Sequence, residues 1–183
     1  RRAGLAARVG GFALCSHAGL ARDPSLAAGV EHVVALDPPA HADEHSRMLA
    51  AAPGAVVHLA WGGAELRFAQ QIHELEYGLR ASLVPLYRAL RDRGTAAGGE
   101  LERLLRGDGP HGRSAWLAAR LVGVLEELGL VHLDRDVPAL TVVSAERTEL
   151  ERSAIYRAAT ARHEDGQRFL LETATETMGA AAA

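Results

Sequence analysis

The chain has 183 residues, of which 48% are hydrophobic and 23% charged, and its formal net charge is −3. This balance is typical of a folded protein, and it excludes a disordered chain and a strongly basic nucleic-acid clamp. No apolar run approaches the roughly 18 residues that a membrane-spanning helix requires, so we expect no membrane partner. The single cysteine, Cys15, excludes an internal disulfide and fits the reducing cytoplasm, where we expect the protein to be located.

All 20 basic residues are arginine, which indicates coding from GC-rich DNA, so arginine content alone is not evidence for nucleic-acid binding. Residues 80–135 are the one segment with a positive balance, 9 basic against 7 acidic side chains, and would attract phosphate only mildly. The chain opens on Arg1–Gly4 without Met and runs directly into structured-looking sequence. We therefore expect it to be a fragment of a longer protein.

Residues 1–79 predict a small α/β lobe with a parallel sheet, because short Val-rich runs bounded by Gly, Pro and Asp alternate with helical segments. The predicted strands are Val9–Cys15, His32–Leu36 and Ala55–Trp61. The predicted helices are Asp23–Gly29, Ala42–Ala52 and a third from Ala64 to about Leu79.

Residues 80–145 predict a winged-helix-like lobe, since three helices precede two short β runs. The helices are Leu83–Arg93, Glu100–Arg106 and Ser114–Leu128, and the β runs are Leu130–Leu133 and Ala139–Val143. Residues 146–183 predict a terminal helix from Leu150 to about Thr175, followed by a small-residue tail, Met178–Ala183, that we expect to fray. The expected fold class is thus α/β: a parallel-sheet lobe, a winged-helix-like lobe and a terminal helix.

Three short motifs invite a catalytic interpretation. His41-Ala-Asp-Glu44-His45 matches the zinc-binding pattern H-x-x-E-H, but it begins just after two prolines, where a helix is only starting, and a third ligand is undefined. Cys15 precedes Ser16 and His17, yet neighbours on a strand point to opposite faces. The turn at Trp61–Glu65 lacks the spacing of a phosphate-binding loop, and its glutamate would repel an anion. We therefore predict no catalytic residue, metal site or cofactor in this chain.

The helix Ser114–Leu128 carries the candidate interface. Four side chains line up at three- and four-residue steps on a side away from the apolar face: Arg113, Trp116, Arg120 and Glu127. In a helix-turn-helix this side would meet DNA, where arginine contacts phosphates or bases and tryptophan stacks on an unpaired base. The alternative is a solvated face with Trp116 packed on a neighbouring helix, in a module that docks proteins. Arg88 and Arg91 are the second choice for contact.

An ordered set of segments resembles the C-terminal region of RecJ, the single-stranded-DNA-specific 5′→3′ exonuclease of the DHH phosphoesterase family, in its actinobacterial type. The match runs from about residue 9 to about residue 170, and no single segment in it is diagnostic. The segments that carry the resemblance are His32–Pro39, His58–Gly62 with Glu65 and Phe68-Ala69, Leu86–Arg91, Val124–Val131 and Leu150–Tyr156.

This resemblance implies an accessory part of a larger enzyme. In the family, Mn²⁺ or Mg²⁺ is held in an N-terminal DHH domain, and neither the D-H-H triplet nor the G-G-G-H signature of its partner domain occurs in this sequence. The parent would be a metal-dependent exonuclease, while this chain would itself be non-catalytic. The implied partners are DNA, single-stranded DNA above all, or repair proteins such as a single-strand-binding protein or a helicase.

Two other classes of function stay open. A stand-alone winged-helix nucleic-acid-binding protein would bind duplex DNA with a steep salt dependence. A purely protein-docking module would bind a partner without salt-dependent DNA affinity. A small hydrolase comes last, because no convergent catalytic set is present.

Overall fold

The computed structural model describes residues 6–108 and 112–181, without the side chains of residues 6–9 and 177–181. The opening segment Arg1–Gly4 and Gly109-Pro110 of the Gly-rich loop lie outside the described residues. Two compact units emerge: unit 1 comprises Arg1–Ile72 and Asp165–Ala183, and unit 2 comprises His73–Glu164. Among the helices described, none is long and apolar enough to cross a bilayer.

Unit 1 contains two small sheets and several helices. Its elements, in chain order, are β1 (Ala6–Val9), β2 (Phe12–Cys15), α1 (His17–Arg22), a 3-10 turn (Pro24–Ala27), β3 (His32–Ala35), α2 (Ala42–Ala51), β4 (Val56–Leu59) and the first part of α3 (Gly63–Tyr77). The helix predicted over Asp23–Gly29 is only this 3-10 turn, and α1 before it was not predicted. The predicted strands at His32 and Ala55 and the helix between them are confirmed to within about two residues.

The first predicted strand was wrong in its pairing. Val9–Cys15 is not one parallel strand, because Gly10 and Gly11 form a two-residue turn that joins β1 and β2 into an antiparallel hairpin. Gly10 has a φ of +57°, the left-handed conformation that such a turn requires and that glycine adopts without steric cost.

The parallel pairing lies in β3 and β4, which form a two-stranded sheet connected through α2. The core beneath this sheet is small and built from Leu, Ala and Met side chains. Its buried members are Leu20, Ala27, Ala35, Met48 and Ala52. The opposite face of the sheet exposes apolar side chains, Val34 and Val56 among them, so this lobe is covered on one side only in the part of the chain that the structure describes.

Unit 2 combines helices with a three-stranded antiparallel sheet. Its further elements are α4 (Leu79–Arg93), β5 (Thr95–Ala97), α5 (Gly98–Arg106), α6 (Ala115–Glu127), β6 (Val131–Asp134), β7 (Ala139–Val142) and the first part of α7 (Ala154–Ala181). The strand order is β5-β7-β6. The three predicted helices and both β runs are confirmed to within a few residues, whereas β5, three residues in the predicted Gly-rich break, was missed.

A leucine-rich core holds unit 2 together. Leu90, Leu121, Val124 and Leu140 are each fully inaccessible to solvent, and they bring α4, α6 and the central strand β7 into one cluster. The unit boundaries fall inside α3 and α7, at residues 72/73 and 164/165. The division of the lobes at 79/80 and 145/146 stays a prediction. The terminal helix α7 continues to Ala181, six residues past the predicted end, and residues 182 and 183 lie outside the described part.

Candidate nucleic-acid or protein interface

The candidate interface centres on α6, whose start is fixed by a side-chain cap. The Ser114 hydroxyl accepts a hydrogen bond from the Leu117 N–H at 3.0 Å, which satisfies one of the backbone donors left open at a helix start. Gly129, with a φ of +66°, follows the other end of the helix. Between these signals Leu121 and its neighbours face the core, while Trp116 is 58% exposed. The helix therefore presents one large aromatic side chain to solvent.

Arg113, the first predicted contact residue, is hydrogen-bonded to the C-terminal end of α5. Its guanidinium donates to the backbone carbonyls of Leu104 (3.0 Å) and Leu105 (3.3 Å), two of the carbonyls that a helix leaves unpaired at its C-terminus. The same group lies against Gly107, where an added Cβ would come within 3.1 Å of it. Arg113 is half-buried, and its Nη1 donates to both of these carbonyls of its own chain.

Arg120, the third predicted contact residue, is hydrogen-bonded to the C-terminal end of α3. Its guanidinium donates to the Glu76 carbonyl at 2.8 Å and lies 4.5 Å from the centre of the Tyr77 ring. A Glu76 carboxylate oxygen is 3.5 Å away, and the arginine side chain is only 26% exposed. A carbonyl, a carboxylate and a π face together satisfy this cation inside the unit.

The C-terminal end of α6 is hydrogen-bonded to the start of α7 and the residue before it. The Glu127 carboxylate accepts hydrogen bonds from the Ser153 hydroxyl and from the Ile155 N–H at 3.0 Å. These two bonds hold the pKa of Glu127 below its ordinary value of 4.5. Of the four side chains predicted on the side of α6 away from its apolar face, three thus hydrogen-bond within unit 2, and Trp116 is the large hydrophobic side chain that remains exposed.

Arg88 and Arg91 lie exposed on α4, and Arg91 lines a groove of about 900 Å³. Leu83, Leu125 and Leu130 contribute to the lining of this groove. Its charged members come from α4 and from the segment before α7: Arg80, Arg91, Glu146, Arg147, Glu149, Glu151 and Arg152. Sequence reasoning did not select Arg80, Arg147 or Arg152 as contact residues, because their shared groove forms only when α4 and the segment before α7 come together.

The H-x-x-E-H motif has a structural role. His41 has extended backbone angles (φ −147°, ψ 152°) and precedes α2, so it does not share a helix face with His45. The Glu44 carboxylate accepts from the Ala40 N–H at 2.9 Å, as an acidic side chain in a first helical turn commonly does. Among the described residues, no three His, Cys, Asp or Glu side chains converge on a point where a metal ion would sit.

The other two motifs also stabilise local structure. Burial raises the pKa of the Cys15 thiol, which disfavours the reactive thiolate. In the turn after β4, Glu65 accepts from the Gly62 N–H at 2.8 Å, and this bond lowers the pKa of that carboxyl. The glutamate occupies the backbone donor that a phosphate group would need.

A histidine cluster that sequence reasoning missed ties α3 to α7 within unit 2. His73 is 2% exposed and donates its Nε2–H to the His163 carbonyl at 3.0 Å, and the two rings stack at 5.4 Å. His163 Nε2 lies 2.7 Å from the Glu74 carboxylate. Burial is the main cause of the lowered pKa of His73. The charges of His163 and Arg162 also lower this pKa, whereas the hydrogen bond to the His163 carbonyl and the charge of Glu74 raise it. His73 therefore folds as a neutral imidazole.

Replacing Arg120 by Ala is expected to destabilise unit 2 by about 1–3 kcal/mol, because the carbonyl of the half-buried Glu76 loses its donor and the Tyr77 ring its cation. Chemical unfolding followed by circular dichroism measures this. Arg88→Ala is the matched control, since Arg88 is exposed on α4, and it should change the free energy of unfolding by less than about 0.5 kcal/mol. Equal effects of the two substitutions would contradict a structural role for Arg120.

The stability of unit 2 is expected to fall as the pH drops below about 6.5. The folded-state pKa of His73 lies below its ordinary value of 6.5. The unfolded chain therefore binds the proton first, and the stabilisation present at neutral pH is lost as the pH falls toward the folded-state pKa. Urea midpoints measured between about pH 7.5 and about pH 5.5 would show the decline, and His73→Gln should flatten it. An unchanged slope in that variant would assign the pH dependence to other groups.

Comparison with protein-family models, with curated proteins and with solved structures gave no match to this chain. Support for a function therefore comes from the geometry of the chain itself. In unit 2 that geometry is a helical core with a three-stranded sheet, a central helix whose arginine and glutamate side chains are engaged internally, and an exposed Trp116.

Proposed function

We propose that this chain is the accessory, non-catalytic part of a RecJ-type 5′→3′ single-stranded-DNA exonuclease, and that unit 2 is a winged-helix-like module that docks a repair protein. The element order α4-β5-α5-α6-β6-β7 and the strand order β5-β7-β6 support the winged-helix assignment. In such a module α6 stands where the recognition helix of a DNA-binding winged helix would be, and the β6–β7 hairpin is the wing.

The internal hydrogen bonds of the polar side chains on and beside α6 favour protein docking over recognition of duplex DNA. A recognition helix needs its polar side chains free for base edges and phosphates. Arg113 and Arg120 instead satisfy carbonyls at the ends of α5 and α3. Unit 2 as a whole has 13 arginines against 14 acidic side chains, so its net charge does not favour binding to duplex DNA. An exposed tryptophan in a unit of balanced charge suits a protein partner, because tryptophan is enriched among the residues that dominate interface energetics.

Single-stranded DNA is the second candidate, and the groove beside α4 favours it. Arg80, Arg91, Arg147 and Arg152 line this groove, where they would follow a phosphate backbone. The three glutamates in the same lining oppose that attraction. Tyr87 also lines it, with its hydroxyl donated to the Ser144 carbonyl at 2.6 Å.

Docking is tested with the two partner classes that the resemblance implies. Labelled chain is titrated with a purified single-strand-binding protein and with a purified repair helicase. Trp116→Ala is expected to weaken binding to one of them by about tenfold or more, as loss of a central aromatic contact does. Leu75→Ala is the matched control, because Leu75 is also 58% exposed in unit 2. Equal affinities of the two variants, or no binding to either protein, would contradict docking through Trp116.

Direct DNA binding is tested by fluorescence anisotropy with labelled single- and double-stranded oligonucleotides at low and moderate salt. Docking predicts no salt-sensitive binding of duplex DNA. Salt-sensitive binding of the single strand alone, weakened in the double variant Arg80→Ala/Arg91→Ala but not in Arg88→Ala, would support the groove as a DNA contact. Duplex binding with a steep salt dependence would reject both candidates in favour of a duplex-binding winged helix.

A further inference from the structure

The exposed face of the β3–β4 sheet carries two histidines that unit 1 holds side by side. In the parallel register His32 is opposite Val56 and Val34 is opposite His58, so all four side chains project from the same face. His32 and His58 are therefore diagonal neighbours on adjacent strands. Both are exposed, and the Val34 and Val56 side chains beside them are 57% and 53% exposed.

The two imidazoles face each other through their ring nitrogens. His32 Nδ1 lies 3.0 Å from His58 Nε2, and the ring centroids are 5.2 Å apart with an angle of 37° between the ring planes. In the absence of an ion, one nitrogen carries the proton and the other accepts it. When the shared proton moves to the outer nitrogen of its own ring, two lone pairs point into the space between the histidines.

We propose that His32 and His58 form a two-histidine site for a divalent transition-metal ion, Cu²⁺ or Ni²⁺ in preference to Zn²⁺. Imidazole nitrogens bind Zn²⁺ at about 2.0–2.1 Å, so two nitrogens 3.0 Å apart are close enough for one ion of similar size to reach both once the rings turn toward it. Cu²⁺ stands highest in the affinity order of divalent ions at nitrogen sites, and two nitrogens with open positions for water suit the tetragonal geometry of Cu²⁺ and Ni²⁺.

The site is open toward solvent. Within the described residues no third His, Cys, Asp or Glu side chain joins these two, so the remaining coordination positions fall to water or to an external ligand. Because both histidines already lie on paired strands, we expect binding to change the tautomer and the ring torsions and to leave the strand pairing in place. The proposal does not depend on the function proposed for unit 2.

Metal binding is measured on the whole chain by titration calorimetry with CuCl₂, NiCl₂ and ZnCl₂. We expect one tighter equivalent with affinities in the order Cu²⁺ > Ni²⁺ > Zn²⁺. His32→Gln or His58→Gln should each lower the Cu²⁺ affinity by about 100-fold, because the second ligand of a chelate acts at high effective concentration. His132→Gln is the matched control, since His132 is exposed on β6, and it should leave the affinity unchanged.

Electron paramagnetic resonance of the wild-type chain with one equivalent of Cu²⁺ gives a test that needs no variant. Hyperfine coupling to two imidazole nitrogens is the expected result. Coupling to fewer than two, or equal Cu²⁺ affinity in the wild type and the His32→Gln/His58→Gln double variant, would overturn the site. A Zn²⁺ affinity above that of Ni²⁺ would overturn the tetragonal assignment.

Discussion

The constraint that decides what α6 can offer a partner is the attachment of its polar side chains within unit 2. The guanidinium of Arg120 closes the C-terminus of α3, where it meets the Glu76 carbonyl and the Tyr77 ring, and at the other end Glu127 holds the start of α7. A helix terminus leaves backbone groups without intrahelical partners, and burying them unpaired costs about as much as a lost hydrogen bond. The side chains that could have contacted DNA therefore have a prior structural use.

This arrangement supports the docking role that we propose for unit 2. The apolar face of α6 is buried among leucines, and its polar face is fastened to neighbouring helices, so Trp116 at its first turn is the large side chain left for a partner. Rigid attachment also favours docking, because a helix held at both ends presents its exposed residues with little loss of conformational entropy on binding. In the proposed function the winged-helix-like unit is a platform for another protein.

The sequence predicts the helices of unit 2 well, and the reasons are local. Ser114 and Gly129 bound α6 to within about a residue because a side-chain cap and a left-handed glycine act on their own helix ends. The β1–β2 hairpin was missed because Gly10-Gly11 was taken as the interior of one strand. Strand β5 was missed because its partner, β7, is 46 residues away at Thr141 and a three-residue strand has no periodicity to detect.

The contacts of individual side chains are predicted less well than the positions of the helices. The spacing of Arg113 and Arg120 did not predict their bonds to carbonyls 8 and 44 residues away, and Arg113 precedes the cap of α6. His73 lies 90 residues from the carbonyl that it binds, and His32 lies 26 residues from His58. Such contacts depend on tertiary packing, so residue type and spacing predict a solvated face equally well.

A double-mutant cycle between Arg120 and Tyr77 tests the central claim most directly. Arg120→Ala, Tyr77→Leu and the double variant are compared by chemical unfolding, and the coupling energy isolates the contact from the rest of the helix. A guanidinium stacked on a partly buried ring predicts a coupling of about 1 kcal/mol. A coupling indistinguishable from zero would contradict the stacking of Arg120 on Tyr77, and only the bond to Glu76 would then keep this arginine from a DNA contact.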